Sequence, residues 1–295
     1  MAPDFLCIGA QKAGTTWLQE NLSRHPEIWL PPPKELHYFD HPHPSLPARL
    51  FNRKKNHLRK ARAYVLEKLA QEVREFGRPQ EYPEFVWAFR YCFGHRSDAW
   101  YESLFPEIEG KIRGEVCPGY ARVDLDRVAQ IAQLMPNAKI IYLLRNPVER
   151  AWSSLSMHFR KGGDQLIDAV SEEEVLRRFE YPKTRRHADY AANLENWSRH
   201  FSEEQLMVGF FEDLRADPRR FLESILHFLG VRADDAVLPE DVASRRNAGR
   251  SEVMPAQVAR ALARTCLPEA QAMHALFGNE HTSGWLADTE RWAAG

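Results

Sequence analysis

Apolar runs along the chain alternate with amphipathic stretches, a pattern typical of an α/β fold with buried strands. Three short apolar runs predict strands: Phe5–Ile8, Ala138–Leu144 and Leu206–Phe211. The second run is almost continuously apolar, as expected at the centre of a parallel sheet whose two faces are both covered.

Apolar residues three or four positions apart predict helices between these strands. They are Trp17, Leu18 and Leu22; Val128, Ile131 and Met135; Tyr190, Leu194, Trp197 and Phe201; and Phe221, Ile225 and Phe228. Asp124 is predicted to cap the second helix, Pro147 to start another and Gly230 to end the last. The alternation predicts a three-layer α/β domain with a parallel sheet and a ligand at the carboxyl ends of its strands.

The 295 residues, 44% of them hydrophobic, can bury the core of one large domain. We therefore predict a single domain over residues 1–295, with residues 41–100 as an insertion. The insertion carries a basic run at 51–60, an amphipathic helix pattern at 58–76 and an aromatic cluster at 82–93. It is either a solvated helix face with core aromatics or a cap that supplies an acceptor pocket or a dock for an anionic partner.

Composition excludes several classes of function. A net charge of −1 argues against a polybasic nucleic-acid binder. No apolar run reaches the roughly 20 residues that span a bilayer, and the first predicted strand leaves no room for a signal peptide. We therefore expect a cytoplasmic protein without membrane or nucleic-acid partners. The four cysteines have no metal-ligand spacing, and no metal site is predicted.

The first predicted strand leads into a loop with the chemistry of an anion site. Lys12, Gly14, Thr15 and Thr16 lie between this strand and the helix that follows. Loop amides, a helix N-terminus, a lysine and two hydroxyls together favour binding of a phosphate or sulfate group. The kinase-type loop places its lysine directly after the second glycine, whereas Lys12 precedes Gly14.

The sequence QKAGTTWL at residues 11–18 resembles the 5′-phosphosulfate loop of sulfotransferases that use 3′-phosphoadenosine 5′-phosphosulfate (PAPS). The resemblance is to the heparan sulfate and bacterial sulfotransferase types. It implies a P-loop-kinase-like fold and PAPS as cofactor, with 3′-phosphoadenosine 5′-phosphate (PAP) as product. It also implies that the loop contacts the cofactor through Gln11, Lys12, Ala13, Gly14, Thr15, Thr16 and Trp17.

The segment KELHYFD at residues 34–40 resembles the segment that carries the catalytic base in heparan sulfate sulfotransferases. The resemblance places the base at Glu35. His37 is the competing candidate, because cytosolic small-molecule sulfotransferases use a histidine. A carboxylate or an imidazole could each take the proton of an acceptor hydroxyl or amine.

A second anion site is predicted where the strand at 138–144 ends. The sequence RNPVERAWS resembles the family's 3′-phosphate element and implies cofactor contacts by Arg145 and Ser153, while Arg150 is interpreted as structural. The resemblance further implies that Tyr190 approaches the adenine. An Ala-Gly-Arg sequence implies that Gly249 and Arg250 close over the cofactor phosphates.

The sequence GEVCPGY at 114–120 departs from the family pattern, because Val116 stands where glycan sulfotransferases carry a lysine. This difference counts against a glycosaminoglycan acceptor. The acceptor is left open between a small molecule, a glycan and a carrier-bound intermediate.

The implied reaction is in-line transfer of a sulfuryl group, with Lys12 stabilising the leaving phosphate and without a metal ion. Two alternatives come from other classes of protein. One is a small-molecule kinase of related fold, and the other is a nucleotide-binding protein without catalysis.

Overall fold

The computed structural model describes residues 2–41, 82–161, 171–244 and 254–295, together with six exposed helical positions between residues 63 and 74. The strands are β1 (Phe5–Gly9), β2 (Ile28–Trp29), β3 (Ile112–Val116), β4 (Lys139–Leu144) and β5 (Leu206–Phe210). The α-helices are α1 (Thr15–Leu22), α2 (Tyr82–Phe93), α3 (Asp98–Glu102), α4 (Leu125–Leu134), α5 (Pro147–Lys161), α6 (Glu172–Phe179), α7 (Pro182–Arg185), α8 (Tyr190–Ser198), α9 (Phe211–Ala216), α10 (Pro218–Leu229), α11 (Ala256–Phe277) and α12 (Glu280–Ala294).

The five strands form one parallel sheet in the order β2-β3-β1-β4-β5. Phe5 on β1 lies opposite Gly114 on β3 and Lys139 on β4. β1 is therefore central and is fully buried along its length. The predicted α/β fold with a parallel sheet is confirmed.

From β1 the chain runs to β2 at one edge of the sheet and returns through β3. It then crosses to β4 and β5 on the other side of β1. Because parallel crossovers are right-handed, α1 lies on one face of the sheet, and the helices between β4 and β5 lie on the opposite face. The loops after β1, β3 and β4 share the carboxyl edge of the sheet, where ligands of such folds bind.

The three predicted strands are present, with small differences at their ends. Phe211 begins α9 and does not belong to β5. Asp124 lies at the N-cap of α4 as predicted, but its carboxylate pairs with Arg186 at 2.6 Å and does not cap the helix. Gly230 ends α10 with a φ of 80°, as predicted.

The predicted aromatic cluster at 82–93 forms α2. Trp87 and Tyr91 are buried and stack with ring centres 5.2 Å apart, whereas Phe89 and Phe93 are exposed. The predicted apolar face of the helix at 58–76 lies outside the described residues. Among the helices that the structure describes, none combines the length and apolar character needed to cross a bilayer.

Candidate active site

The loop after β1 has the backbone shape of an anion site. Lys12 and Gly14 have left-handed φ values of 75° and 92°. A Cβ atom at Gly14 would lie 2.6 Å from the side chain of Leu214, so glycine is required by both conformation and space. Helix α1 begins at Thr15. Its first-turn amides have no intrahelical acceptor and are available to an anion.

Two lysines belong to this loop region. Lys34 Nζ donates to Thr16 Oγ1 at 3.0 Å and to Thr15 Oγ1 at 3.4 Å. Lys12 Nζ lies 3.7 Å from Met157 Sδ. Lys34 was not among the predicted site residues. Its position directly before the candidate base Glu35 was the signal that could have identified it.

Glu35, His37 and Asp40 form a continuous hydrogen-bonded chain. His37 Nε2 lies 3.2 Å from Glu35 Oε2, and His37 Nδ1 lies 3.0 Å from each carboxylate oxygen of Asp40. Lys34 Nζ is 3.7 Å from Glu35 Oε1 and connects the chain to the loop. Glu35 and His37 have left-handed φ values of 65° and 53°. Such backbone is uncommon outside glycine and concentrates at functional sites.

The neighbouring side chains determine the protonation state of His37. Burial disfavours the imidazolium, but the side chains of Cys117, Asp40 and Glu35 outweigh burial and raise the pKa of His37 well above its usual range. Burial also raises the pKa of the Cys117 thiol to about 12. The negative charge that sustains the imidazolium at neutral pH therefore comes from the two carboxylates. His37 then donates from both ring nitrogens.

Glu35 is held as a carboxylate by its neighbours. Burial alone would raise its pKa, but the hydrogen bond from His37 and the charge of Lys34 lower the pKa below its usual value. Its side chain is 36% exposed, so the carboxylate is accessible to an acceptor.

Asp40 is the buried end of this chain, and sequence analysis missed it. Its side chain is fully buried and accepts a hydrogen bond from Arg122 Nη2 at 3.2 Å. Burial works against its charge, but His37 and His41 outweigh burial and hold the pKa of Asp40 well below its usual range. A Cβ atom at Gly119 would lie 2.2 Å from Asp40 Oδ2, so this glycine makes room for the carboxylate.

His37, Asp40 and His41 offer three potential ligand atoms within 4.8 Å of one another, the only such group among the described residues. A metal ligand, however, needs a neutral imidazole with a free lone pair. Both nitrogens of His37 already face carboxylates. The arrangement is that of a charged hydrogen-bonded chain.

Glu115 on β3 holds the backbone of this segment in place. Its fully buried carboxylate accepts hydrogen bonds from the Leu36 amide at 2.8 Å, from Tyr101 at 2.6 Å and from Tyr120 at 3.0 Å. The Tyr120 hydroxyl in turn accepts from the Tyr38 amide at 3.0 Å. Burial raises the pKa of Glu115 to about 7, against the effect of these bonds. Glu115 and Tyr120 thus hold the backbone amides of Leu36 and Tyr38, which flank His37 in the sequence.

Arg145 lies where β4 ends and contacts the first loop. Its Nη1 donates to the Lys12 carbonyl at 3.4 Å, and its Nη2 pairs with Glu149 at 2.7 Å. The guanidinium also lies 4.7 Å from the ring centre of Phe211. The Tyr190 hydroxyl donates to the Arg145 carbonyl at 3.0 Å. These contacts place the two predicted anion sites side by side.

Four of the predicted cofactor residues are buried in the protein: Thr15 at the start of α1, which is 5% exposed, and three apolar or aromatic residues. Ala13 and Tyr190 are fully buried, and Trp17 is 6% exposed with its indole nitrogen donating to the Val242 carbonyl at 2.8 Å. They support the loop and the end of β4 from within the core. Their packing offers little free surface for stacking on an adenine.

Ser153 is half-buried on α5, and Gln11 lines a polar cavity beside the loop. Gly249 and Arg250 lie outside the described residues.

Known proteins resemble this chain in sequence and in fold. The chain is 27% identical over 238 residues to human bifunctional heparan sulfate N-deacetylase/N-sulfotransferase 2, an alignment that covers 78% of this chain and 22% of that protein. The chain thus spans about a fifth of the length of this relative.

A sulfotransferase from Alicyclobacillus acidocaldarius has a similar structure, with a TM-score of 0.61 and 25% identity, over 97% of this chain and 99% of that one. Mouse sulfotransferase SULT7A1, solved in complex with PAP, shares the fold at a TM-score of 0.50 and 15% identity, over 99% of this chain and 88% of that one.

The sulfotransferase family model matches residues 3–235. This range takes in the loop after β1, the Glu35–Asp40 segment, Glu115 and Arg145. The resemblance to sulfotransferases that the sequence motifs indicated is therefore confirmed, and the chain belongs to the sulfotransferase family.

Proposed function

We propose that the protein transfers the sulfuryl group of PAPS to a hydroxyl or amine of an acceptor, with Glu35 as the general base. The observation that carries this proposal is the position of Lys34. Its ammonium lies 3.0 Å from a hydroxyl of the anion loop and 3.7 Å from the Glu35 carboxylate. A base therefore stands directly beside the loop that would hold the phosphosulfate.

PAPS supplies an activated sulfuryl group, whose S–O bond to the 5′-phosphate breaks as the acceptor attacks sulfur. Lys12 and Lys34 neutralise the charge that develops on the departing phosphate oxygen. The loop amides and the hydroxyls of Thr15 and Thr16 hold the 5′-phosphate in line with the acceptor. Glu35 takes the proton of the acceptor oxygen or nitrogen. The products are a sulfate ester or a sulfamate, and PAP.

His37 orients the base in this scheme and does not act as the base. An imidazolium that donates to two carboxylates has no lone pair with which to accept a proton. Asp40, fixed by Arg122, holds the far side of the ring. The side chains of Glu35 and His37 are thus coupled, and a change in one is expected to displace the other.

Arg145 and Ser153 would bind the 3′-phosphate of the nucleotide. A guanidinium at the end of a strand and a hydroxyl on the next helix supply charge-assisted hydrogen bonds to phosphate. Because the lysines supply positive charge at the leaving group, the scheme requires no metal ion. Val116 is buried in β3, so this strand offers no basic side chain at the position where glycan sulfotransferases carry one.

The acceptor is a small molecule, a glycan or a carrier-bound intermediate. A transfer assay with ³⁵S-labelled PAPS against a library of hydroxyl and amine acceptors, run in EDTA, tests the proposal. Calorimetry should show tighter binding of PAP than of AMP under the same conditions. Phosphate transfer from ATP and Mg²⁺ would identify a kinase instead. PAP binding without transfer to any acceptor would indicate a nucleotide-binding protein without catalysis.

A further inference from the structure

A polar cavity of about 200 Å³ lies beside the anion loop. It is lined by Gln11, Arg122, Arg150, Ser154, Thr184 and His187. The lining contains two arginines and no carboxylate. Such a wall attracts negative charge and offers it hydrogen-bond donors.

Arg150 is the lining residue whose buried charge lacks a hydrogen-bond partner among the described residues. It is fully buried, and its Nε, Nη1 and Nη2 atoms have no hydrogen-bond partner among the described residues. Buried guanidinium groups are normally paired, because an uncompensated buried charge is strongly destabilising. Arg150 was interpreted as structural, but its guanidinium has no hydrogen-bond partner in the part of the chain that the structure describes.

His187 adds a further donor to the same wall. Burial, together with the charges of Arg150 and Arg122, lowers the pKa of His187 to about 3, so the ring is neutral at physiological pH. Its Nε2 accepts a hydrogen bond from Arg122 Nε at 3.2 Å. The ring proton is therefore on Nδ1, a buried atom without a hydrogen-bond partner among the described residues.

The cavity adjoins the site of the proposed transfer. Arg122, which lines it, also donates to Asp40 in the Glu35–His37–Asp40 chain. Gln11 directly precedes Lys12 in the anion loop. A wider cavity of about 490 Å³ shares Gln11 in its wall and reaches Met157, whose sulfur lies 3.7 Å from Lys12 Nζ.

We propose that Arg150 and Arg122 bind an anionic group of the acceptor, so that the enzyme sulfates acidic acceptors that carry a carboxylate, sulfate or phosphate. The body of such an acceptor would occupy the wider cavity next to Lys12, with its charged group in the smaller one. This inference rests on the proposed function. It adds the chemical class of the acceptor and a binding residue for it.

Thermal unfolding of the full chain tests the anion site directly. The protein is saturated with PAP, which fills the cofactor phosphate sites, and is titrated with sodium sulfate, phosphate or benzoate against sodium chloride at matched ionic strength. Arg150→Met is compared with wild type and with Arg199→Met, which removes an exposed arginine paired with Glu195. General salt effects on stability act on all three proteins alike.

Wild type and Arg199→Met should show a saturable rise in melting temperature, and Arg150→Met should bind the anion about ten- to a hundredfold more weakly, because a charge-assisted hydrogen bond is lost. The salt whose titration saturates identifies the preferred anionic group as a carboxylate, a sulfate or a phosphate. Equal responses of all three proteins, or no saturable response in wild type, would overturn the proposal.

Ser154→Asp provides a second test, should Arg150→Met fail to fold. Position 154 lies one helical turn after Arg150 on α5 and lines the same cavity, so its carboxylate can pair with the guanidinium. Ser154→Asp should melt higher than Ser154→Asn and lose the anion response. Equal melting temperatures with an intact anion response would contradict the proposal.

Turnover separates this inference from the proposed function. Acceptors are supplied in charged and neutral pairs, such as 4-hydroxybenzoate and its methyl ester. Transfer that favours the charged member in wild type, with the preference lost in Arg150→Met, supports the anion site. Transfer without a charge preference overturns only this inference, whereas PAP that fails to bind overturns the proposed function.

Discussion

Glu35 is a carboxylate with two cationic neighbours, and this environment determines the kind of base it can be. Lys34 and the His37 imidazolium lower its pKa, so it is ionised throughout the neutral range. The lowered pKa also makes it a weak base. Proton transfer to Glu35 is therefore expected late in the reaction, when the new bond to sulfur has made the acceptor proton acidic.

Glu35→Gln keeps the size of the side chain but removes its ability to accept a proton. Turnover should fall by roughly 10²–10⁴-fold, as is typical when a general base is lost. The affinity for PAP should change little, because the proposed contacts of the nucleotide phosphates are with the loop and Arg145. Steady-state transfer of ³⁵S and calorimetry with PAP measure the two quantities.

His37→Gln is the matched control, because it removes a positioning residue and leaves the base. It should cost much less turnover than Glu35→Gln. Wild-type activity should persist as the pH falls below about 6.5, where a histidine base would be lost. An inactive His37→Gln beside a nearly normal Glu35→Gln would assign the base to His37.

Arg145 and Arg150 are five residues apart in the sequence and are expected to bind different ligands. Arg145→Met should weaken PAP binding by about ten- to a hundredfold through the lost charge-assisted hydrogen bond, and leave AMP binding unchanged. Arg150→Met should leave PAP affinity unchanged. Isothermal titration of both nucleotides into both variants checks this, and equal losses of PAP affinity would show that the two arginines share one site.

At the scale of elements, the sequence predicted the strands and helices that carry a regular pattern of apolar residues. The strands β1, β4 and β5 and the helices α1, α4, α8 and α10 follow from apolar spacing. β3 was missed because its five residues include Arg113 and Glu115, which are both buried. Arg113 pairs with Asp4 at 3.0 Å, and Glu115 accepts hydrogen bonds from Tyr101, Tyr120 and the Leu36 amide. All of these partners except Tyr120 lie 14 or more residues away in the sequence.

The site was only partly predictable for the same reason. The motifs identified Lys12, Glu35 and Arg145, whose roles depend on their place at a strand end or in a short segment. Asp40 and Arg122 join the site because the backbone turns through left-handed conformations after Lys34 and because the loop after β3 returns to it. Neither turn leaves a periodic pattern in the sequence.

Two glycines make a matched pair for testing how the loop after β3 positions the base. Gly284 lies on the exposed side of α12 with no atoms near its absent Cβ, so Gly284→Ala should stabilise the fold by about 0.5–1 kcal/mol. Gly119→Ala places a methyl group against Asp40 and should lower turnover while PAP affinity is kept.

Chemical denaturation and ³⁵S transfer compare the two alanine variants. Unchanged turnover in Gly119→Ala would show that the position of Asp40 does not control the base. A destabilised Gly284→Ala would show that α12 has contacts there beyond those described.

At the scale of the whole molecule, a net charge of −1 conceals an excess of basic side chains at the site, beyond those that pair with Glu35, Asp40 and Glu149. Lys12, Lys34, Arg122, Arg145 and Arg150 converge at the carboxyl edge of the sheet. Concentrating positive charge in a cleft attracts anionic substrates and destabilises the free protein at that place. The enzyme should therefore be stabilised markedly by its own ligands, because binding to the folded state alone adds to stability.

The hydrogen-bonded chain of Glu35, His37 and Asp40 predicts how the free energy of unfolding depends on pH. The folded pKa of His37 lies above its unfolded value of about 6.5, so its contribution is complete below about pH 6.5 and is lost as the pH rises towards the folded pKa. The folded pKa of Asp40 lies below its unfolded value of about 3.9, so its contribution is complete above about pH 4 and is lost as the pH falls.

The free energy of unfolding of wild type should therefore exceed that of His37→Gln most between about pH 4 and pH 6.5. Above about pH 6.5 the difference should shrink by up to about 1.4 kcal/mol per pH unit, the value for one proton. Urea denaturation of both proteins from pH 4.5 to 8.5 measures it. Burial raises the pKa of Glu115 to about 7, so the stability of both proteins should also fall as the pH rises from about 4.3 to 7, and fall further in His37→Gln, which lacks the His37 charge that lowers this pKa. A difference that stays constant from pH 5 to 8.5 would mean that folding does not raise the pKa of His37. The ring would then be neutral above about pH 6.5 and could act as the base.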